Sequence, residues 1–482
     1  MEKIKDEKKQ KDYAVHLSVA PMVLASAAVS VFSLFLLSDD FLSAFSAATA
    51  SKTAGFFLSN FLLYFALFWA LRVFVGAKAG RARNYFLIVL VITITNIASV
   101  AAVNFLNVYA MPFALAGLLI GVLLGTKSAI SSVTMLAMQL LIAFLFNGNF
   151  SALTSLNLTG AILSCTISAY CIVFFISKHY TRIKFLLYAL LCGLLAMPFV
   201  ISSTLAAGIR DINLLFNVLW AIAGNVLAVL LFMPLLALFE STFNIADDFR
   251  LDEICSLNQP LLKRLASEAP GTFNHSLVVA TLAESCAMAI GENPLLAKAG
   301  AYYHDVGKLK APVYFVENQS DYNPHDELIP EVSASMITSH TMFGEILNKQ
   351  HRLPAEIVKI SKEHHGTAPV GYFYRKAQKL TEGTLPVDNY VYPGPKPSSK
   401  VSAIIMIADT AEAALRAQMP DTKKEFVAKI EALIDEKLRL GQFDDCPITL
   451  RELSKIKQTI INVLPSIHHS RINYDAKPTK KK

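Results

Sequence analysis

His304 and Asp305 stand side by side in this 482-residue chain, and five more residues of metal-ligating type lie around them: His275 before, then His340, His364, His365 and Asp409. A carboxylate has two oxygens and can serve two cations at once, whereas an imidazole binds one side only. A His followed directly by an Asp can therefore hand ligands to two metal ions. The other four His and one Asp supply enough N and O donors for a two-metal hydrolytic centre. Taken singly, each is more simply read as a satisfied core histidine, a helix cap or a surface residue; the set as a whole points to metal.

The elements that must position these residues read as helices, and no clean β-alternation appears after Ser241. In His275–Ile290, Val279, Leu282, Cys286 and Ile290 share an apolar face, and Gly291 suits the stop. Asn293-Pro294 reads as N-cap and first helical residue of a helix over Leu295–His304. Pro330–Lys349 carries Val332, Met336, His340, Phe343 and Leu347 at helical spacing, which predicts one helix with His340 on its apolar face. Pro354 opens a helix ending at His364-His365-Gly366, and Val401, Ile405, Ala408, Asp409 and Glu412 line one side of another. Two amphipathic helices, roughly Lys423–Leu440 and Thr449–Val463, close the domain. Asp409 interrupts the core-facing run Ala403–Ala408; a carboxylate buried there costs several kcal/mol unless it is paired or bound to metal.

The first half of the chain is of another kind. Overall the sequence is 54% hydrophobic and 17% charged, with a mean hydropathy of +0.45, too apolar for an ordinary soluble enzyme. The apolar runs lie before Glu240 and most charges after it. Eight candidate spans follow: Leu17–Leu37, Ala54–Gly76, Tyr85–Asn107, Val108–Gly125, Ala129–Phe146, Leu158–Ser177, Ile183–Ala206 and Ile212–Phe239. Each approaches the roughly 20 apolar residues that cross a bilayer. The third and fourth nearly abut and the fifth is short, so seven or eight spans are expected. With the N-terminus inside, inward segments hold eleven Lys and Arg (Lys3, Lys5, Lys8, Lys9, Lys11, Lys78, Arg81, Arg83, Lys127, Lys178 and Arg182), and outward loops hold only Lys52 and Arg210. That bias, with an even number of spans, puts the His/Asp cluster in the cytoplasm. Asn96, Asn104, Gln139 and Asn225 are expected to bond helix to helix, and Gly117, Gly121 and Gly125 to form a close-packing face. No cysteine pair has redox or zinc spacing, so all six should be free thiols. The net charge of +7 owes much to basic tails beside a membrane and is not a nucleic-acid footprint.

The order His275, His304-Asp305, Asp409 resembles that of the HD-domain phosphohydrolases. The wider text is closer still: Glu268-Ala-Pro-Gly-Thr-Phe-Asn-His-Ser276, Ala301-Tyr-Tyr-His-Asp-Val-Gly-Lys308, Glu317-Asn-Gln319, Asn323-Pro-His-Asp326, Glu363-His-His-Gly-Thr367, Tyr392-Pro-Gly-Pro-Lys396 and Ile407-Ala-Asp-Thr410. Over residues 55–475 the chain is similar to the bacterial seven-transmembrane HD family, whose known members are cyclic di-AMP phosphodiesterases. One departure stands out. The family commonly carries a large extracellular module after its first span, and about 16 residues, Ser38–Thr53, fill that place here.

The resemblance implies an all-α protein: a basic tail (1–16), a polytopic α-helical membrane domain (17–240), a helical linker (241–270), a cytoplasmic all-helical HD-type phosphohydrolase domain (271–470) and a second basic tail (471–482). It implies one metal held by His275, His304, Asp305 and Asp409. A second would be held by Asp305, His340, His364 and His365, with Asp305 bridging. The N/O donor set suits octahedral Fe or Mn. Two such ions activate water and clamp phosphoryl oxygens, and the expected product of cyclic di-AMP is linear pApA. Lys308 is expected to neutralise a phosphate oxygen, and Tyr392 and Lys396 to meet base and phosphate. His325 reads as a loop anchor, His351 as surface, and His468-His469 as unrelated to the site. Expected partners are a cyclic dinucleotide and membrane lipid, with a homodimer allowed and no polymeric nucleic acid. The expected location is the bacterial inner membrane. The competing readings are cyclic di-GMP or another nucleotide as substrate, and a membrane receptor without turnover. Against cyclic di-GMP stands Gly366 after His364-His365, where that group has Glu.

Overall fold

The computed structural model describes residues 20–36, 46, 49–75, 82–147, 152–176, 182–381, 385–418, 420 and 422–467. The basic tails, Lys78, Arg81, Lys178 and His468-His469 lie outside the described residues. The chain forms two compact units that divide between Phe243 and Asn244.

In the first unit, eight helices correspond to the eight expected spans. They are α1 (Ala20–Leu36), α2 (Ala50–Ala70), α3 (Ala82–Phe105), α4 (Phe113–Leu124), α5 (Thr126–Asn147), α6 (Ala152–Ile176), α7 (Arg182–Ala206) and α8 (Ile212–Phe243). Their outer faces are apolar, and polar residues lie among the apolar ones inside. Asn60, Asn96, Gln139 and Ser132 are wholly buried, while Phe74, Phe105 and Leu145 are 71%, 73% and 80% exposed. Water would not tolerate that surface, whereas hydrocarbon favours it. The expected polar contacts between helices are present: Asn96 donates to Gln139 at 3.5 Å, Asn104 to the Leu36 carbonyl, and Ser168 to Asn225 at 2.7 Å. Gly117 packs closely, since a Cβ there would lie 3.0 Å from Val173. Gly125 does not; at φ +89° it faces open space and ends α4. The fifth span is not short, for α5 runs 22 residues; α1 and Val108–Leu124 are the shorter apolar helices.

The second unit begins with residues expected to be linker. They form α9 (Asp248–Ile254) and α10 (Pro260–Glu268), whose Leu251, Ile254, Leu261, Leu262 and Leu265 join the unit's main core. Then come α11 (Pro270–Ile290), α12 (Pro294–Tyr303), α13 (Pro330–Thr338), α14 (His340–Gln350), α15 (Ala355–Glu363), α16 (Gly371–Leu380), α17 (Lys400–Ala417), α18 (Lys423–Arg439) and α19 (Leu450–Ile467). Short 3-10 turns fill most of residues 306–326. Among the described residues the only β pairing is a single bridge, Pro369 to Val391. Of the seven described helices long and apolar enough to cross a membrane, six lie in the first unit and the seventh is α11. Its Val279, Leu282, Ala283 and Cys286 are fully buried in the second unit's core, so its apolar character serves packing there.

The helix expected over Pro330–Lys349 is two helices. Ser339 Oγ, His340 Nδ1 and Thr341 Oγ1 donate to the carbonyls of Met336, Ile337 and Thr338. Three consecutive side chains thus bond carbonyls three residues back at the junction, where Ser339 alone separates α13 from α14. All six cysteines are free.

Candidate metal centre

Five elements deliver the seven residues. His275 sits in the second turn of α11, and His304 caps the C-terminus of α12 with Asp305 directly after it. His340 opens α14, His364-His365 follow α15, and Asp409 lies in the middle of α17. Gly307 makes this convergence possible, because a Cβ there would stand 1.9 Å from the His340 carbonyl oxygen. The turn after His304-Asp305 can therefore lie directly against α14.

The structure brings all seven together as two groups: His275, His304 and Asp409, and Asp305, His340, His364 and His365. Asp305 faces both. Its Oδ2 is 3.2 Å from His304 Nε2 and 3.7 Å from His275 Nε2, while its Oδ1 is 3.2 Å from His340 Nε2 and 3.6 Å from His364 Nε2. Asp409 Oδ1 lies 2.9 Å from His275 Nε2, and its Oδ2 lies 3.6 Å from His365 Nδ1. All are buried except His365, whose side chain keeps 20% exposure and marks the open side.

The imidazoles are oriented from behind. His304, His340 and His364 donate Nδ1–H to the carbonyls of Ala301, Ile337 and Ser361 at 2.7, 2.6 and 2.8 Å. Each acceptor lies in the last turn of a helix, where carbonyls lack intrahelical partners. That turns each Nε2 inward, the orientation a ligating histidine needs. His275 differs, for its Nδ1 bonds the Glu412 carboxylate, one turn beyond Asp409 on α17.

Electrostatics follow from burial against charge. Burial opposes ionisation of Asp305, but His304 and Lys308 outweigh it and hold the carboxyl well below the usual range. Asp409 is held low in the same sense, with His275 and His304 overcoming burial. Burial disfavours a charged His304, yet Asp305 and then Asp409 push it up to about 10. At His364 burial prevails over the Asp305 carboxylate, with the neighbouring His304 and His340 adding to it, and the imidazole is pushed down to about 4.

These residues fit divalent cations. His304 Nε2 and Asp305 Oδ1 are buried without a hydrogen-bond partner, and both point into the cluster. His340 Nε2 and His364 Nε2 face each other at 3.2 Å although both Nδ1 atoms already donate to carbonyls. Two lone pairs at that distance repel unless a cation lies beside them. The donors are imidazole nitrogens and carboxylate oxygens, with no thiolate among them.

The remaining predicted residues are placed unequally. Lys308 is not at the surface: its Nζ lies 2.7 Å from Asp305 Oδ2 and 2.8 Å from Glu317 Oε1. The Tyr392 ring stacks on His365 with centroids 4.2 Å apart and meets His340 edge-on, so it walls the open side. Lys396 is not brought to the cluster but pairs with Asp444 at 3.0 Å. His325 anchors a loop through the Tyr314 carbonyl, and His351 is exposed. Sequence reasoning assigned no role to Glu317 or Glu412. Nor did it assign one to Glu363, which is buried and accepts bonds from Ser398 and Ser402. The available signal for Glu412 was an acidic residue three places after Asp409 on the same buried helix face.

Comparison with known proteins agrees with this geometry. Residues 272–414 match the HD domain, and residues 50–246 match the family described as 7TM receptor with intracellular HD hydrolase. The chain is 36% identical over 369 residues to the cyclic-di-AMP phosphodiesterase PgpH of Bacillus subtilis, covering 76% of this chain and 51% of that protein. It is also 36% identical over 390 residues to PgpH of Listeria monocytogenes, covering 80% and 52%. The chain thus spans about half the length of the curated relatives it matches. A crystal structure of the L. monocytogenes PgpH HD domain in complex with cyclic-di-AMP aligns over 45% of this chain and 100% of that one, at 45% identity and TM-score 0.43. An HD domain implies divalent-metal binding, and the apolar helices of the first unit make this a multi-pass membrane protein. On these matches the chain belongs to the family of seven-transmembrane proteins with an intracellular HD hydrolase domain.

Proposed function

We propose that this protein is a membrane-anchored, metal-dependent phosphodiesterase that hydrolyses cyclic di-AMP to linear pApA in the cytoplasm and so lowers the level of that second messenger. The observation that carries the reading is Asp305, whose two oxygens face two separate His/Asp groups. The relatives named as cyclic-di-AMP phosphodiesterases support the substrate. The inward-facing Lys and Arg excess supports a cytoplasmic N-terminus and catalytic domain, anchored in the bacterial inner membrane. The proposed domains are the membrane domain over 17–240 and the HD phosphohydrolase domain over 271–470.

The ligands proposed for one ion are His275, His304, Asp305 and Asp409, and for the other Asp305, His340, His364 and His365. Fe or Mn suits this N/O set. Two bound divalent ions would supply Lewis acidity toward phosphoryl oxygens and an acidified water. The protein's own part is orientation and charge. Carbonyl partners hold His304, His340 and His364, and the Glu412 carboxylate holds His275, each with Nε2 inward, and Lys308 keeps a fixed positive charge beside Asp305. A phosphate oxygen arriving there would meet Lys308 at the cost of its pairing with Glu317 or Asp305. Tyr392 is placed to stack on a base, and Lys396 would have to leave Asp444 to reach phosphate. Hydrolysis breaks one P–O3′ bond and adds one water, leaving a free 3′-hydroxyl and a terminal 5′-phosphate.

The test is the detergent-solubilised full chain, loaded with Mn²⁺ and given cyclic di-AMP and cyclic di-GMP separately. The expected outcome is linear pApA, with turnover lost on replacing His304 and Asp305 by Ala. Turnover that survives this replacement, or that prefers cyclic di-GMP, contradicts the reading.

A further inference from the structure

Three of the four buried histidines in the cluster are oriented by backbone carbonyls, and one is not. His304 and His364 are C-caps, and His340 follows the last turn of α13, so each has an orphaned carbonyl three residues back. His275 lies inside α11, where the carbonyls behind it serve the helix. It takes a carboxylate instead, Glu412, which is 2% exposed. Glu412 is itself held from outside: its Oε1 lies 3.4 Å from Arg416 Nε, one turn further along α17. The Arg416 guanidinium also reaches Glu317 at 3.9 Å, and Glu317 holds Lys308, which holds Asp305. A chain of alternating charges therefore backs the His275, His304 and Asp409 group, and among the described residues no equivalent backs His340, His364 and His365.

The two groups differ in charge as a result. Beyond the shared Asp305, the first has Asp409 as a ligand type and Glu412 behind His275, whereas the second has three imidazoles and no further carboxylate, two of the imidazoles being backed by carbonyls. A carboxylate on the far nitrogen makes an imidazole a stronger donor than a carbonyl does. We infer that Glu412 is a positioning residue for one ion only, and that it makes the His275, His304 and Asp409 group the tighter of two unequal metal sites. Arg416 clamps Glu412 in place without touching any ligand.

This inference rests on the two-metal reading, and a stepwise titration separates the two. The full chain in detergent is stripped with chelator, titrated with Mn²⁺, and followed by bound metal per chain. The wild type is expected to show a tight class and a weaker class. Glu412→Gln should weaken the tight class by about 10–100-fold and leave the weaker one in place. His365→Ala should do the reverse. Arg416→Ala, at a partly exposed position, should weaken the tight class by a smaller factor, and it keeps the test informative if Glu412→Gln fails to fold. Glu412→Asp should recover part of the lost affinity. Two classes that respond equally to Glu412→Gln, or a tight class removed by His365→Ala, would overturn the inference. A wild-type chain that binds no Mn²⁺ would overturn the two-metal reading as well.

Discussion

His304 is the residue whose proton a metal ion must displace. Burial works against its charge, but Asp305 and Asp409 prevail and push it up to about 10, so the metal-free cluster holds that proton throughout the neutral range. His275 is raised as well, with burial outweighed by Asp409 and Glu412. A raised histidine contributes stability below its unfolded value near 6.5 and loses it as pH rises through its folded value. Metal binding must therefore release protons, and affinity should climb with pH by about tenfold per unit for each proton displaced. Mn²⁺ titrations between pH 6.5 and 8.5, in buffers of different ionisation enthalpy, are expected to show at least one proton released per chain. A flat affinity would show that the cluster is already deprotonated. At this scale the sequence was informative because a His or Asp at an inward helical position costs stability unless a partner or a metal holds it. Glu412 and Glu317 were not legible in the same way. A carboxylate's value here lies in the partner it meets, and those partners, His275 and Lys308, are 137 and 9 residues away.

Between the helices the decisive contact is the crossing of the 306–310 turn over α14. Gly307→Ala would drive a methyl group into the His340 carbonyl, and that carbonyl cannot move without shifting His340 itself. The expected cost is about 1–3 kcal/mol of stability, together with weaker metal retention because Asp305 and His340 lose register. Thermal unfolding and metal content after gel filtration check this; unchanged values for both would show that the turn has room to yield. Apolar periodicity and Pro, Gly and Asn signals located most helices to within a few residues. They missed the break at Ser339, because periodicity runs through it unchanged. What marks the junction is that Ser339, His340 and Thr341 all bond carbonyls three residues back, visible only once their side chains are placed. Residues 248–268 read as linker for a related reason: α9 and α10 are short, and only packing against a core elsewhere in the sequence reveals them as part of it.

Across the molecule, the two units differ in what they expose more than in what they bury: both have apolar interiors, but the first turns large apolar side chains outward along its helices. That contrast is why hydropathy could divide the chain near residue 240, and the apolar face of α11 serves the second unit's core rather than a span. The proposed topology makes its own prediction. Cysteines substituted for Lys52 and Arg210 should react with an impermeant maleimide in intact cells, whereas one at Lys127 should react only after permeabilisation. The reverse pattern would put the metal cluster outside the cell and remove its access to a cytoplasmic dinucleotide. The measurement that bears most directly on the whole account is the metal content and hydrolytic rate of Asp305→Asn beside the wild type. A single shared carboxylate predicts that the variant falls from two bound ions per chain to fewer than one, with hydrolysis of cyclic di-AMP reduced by at least about 10³-fold. Two ions retained at an unreduced rate would contradict it.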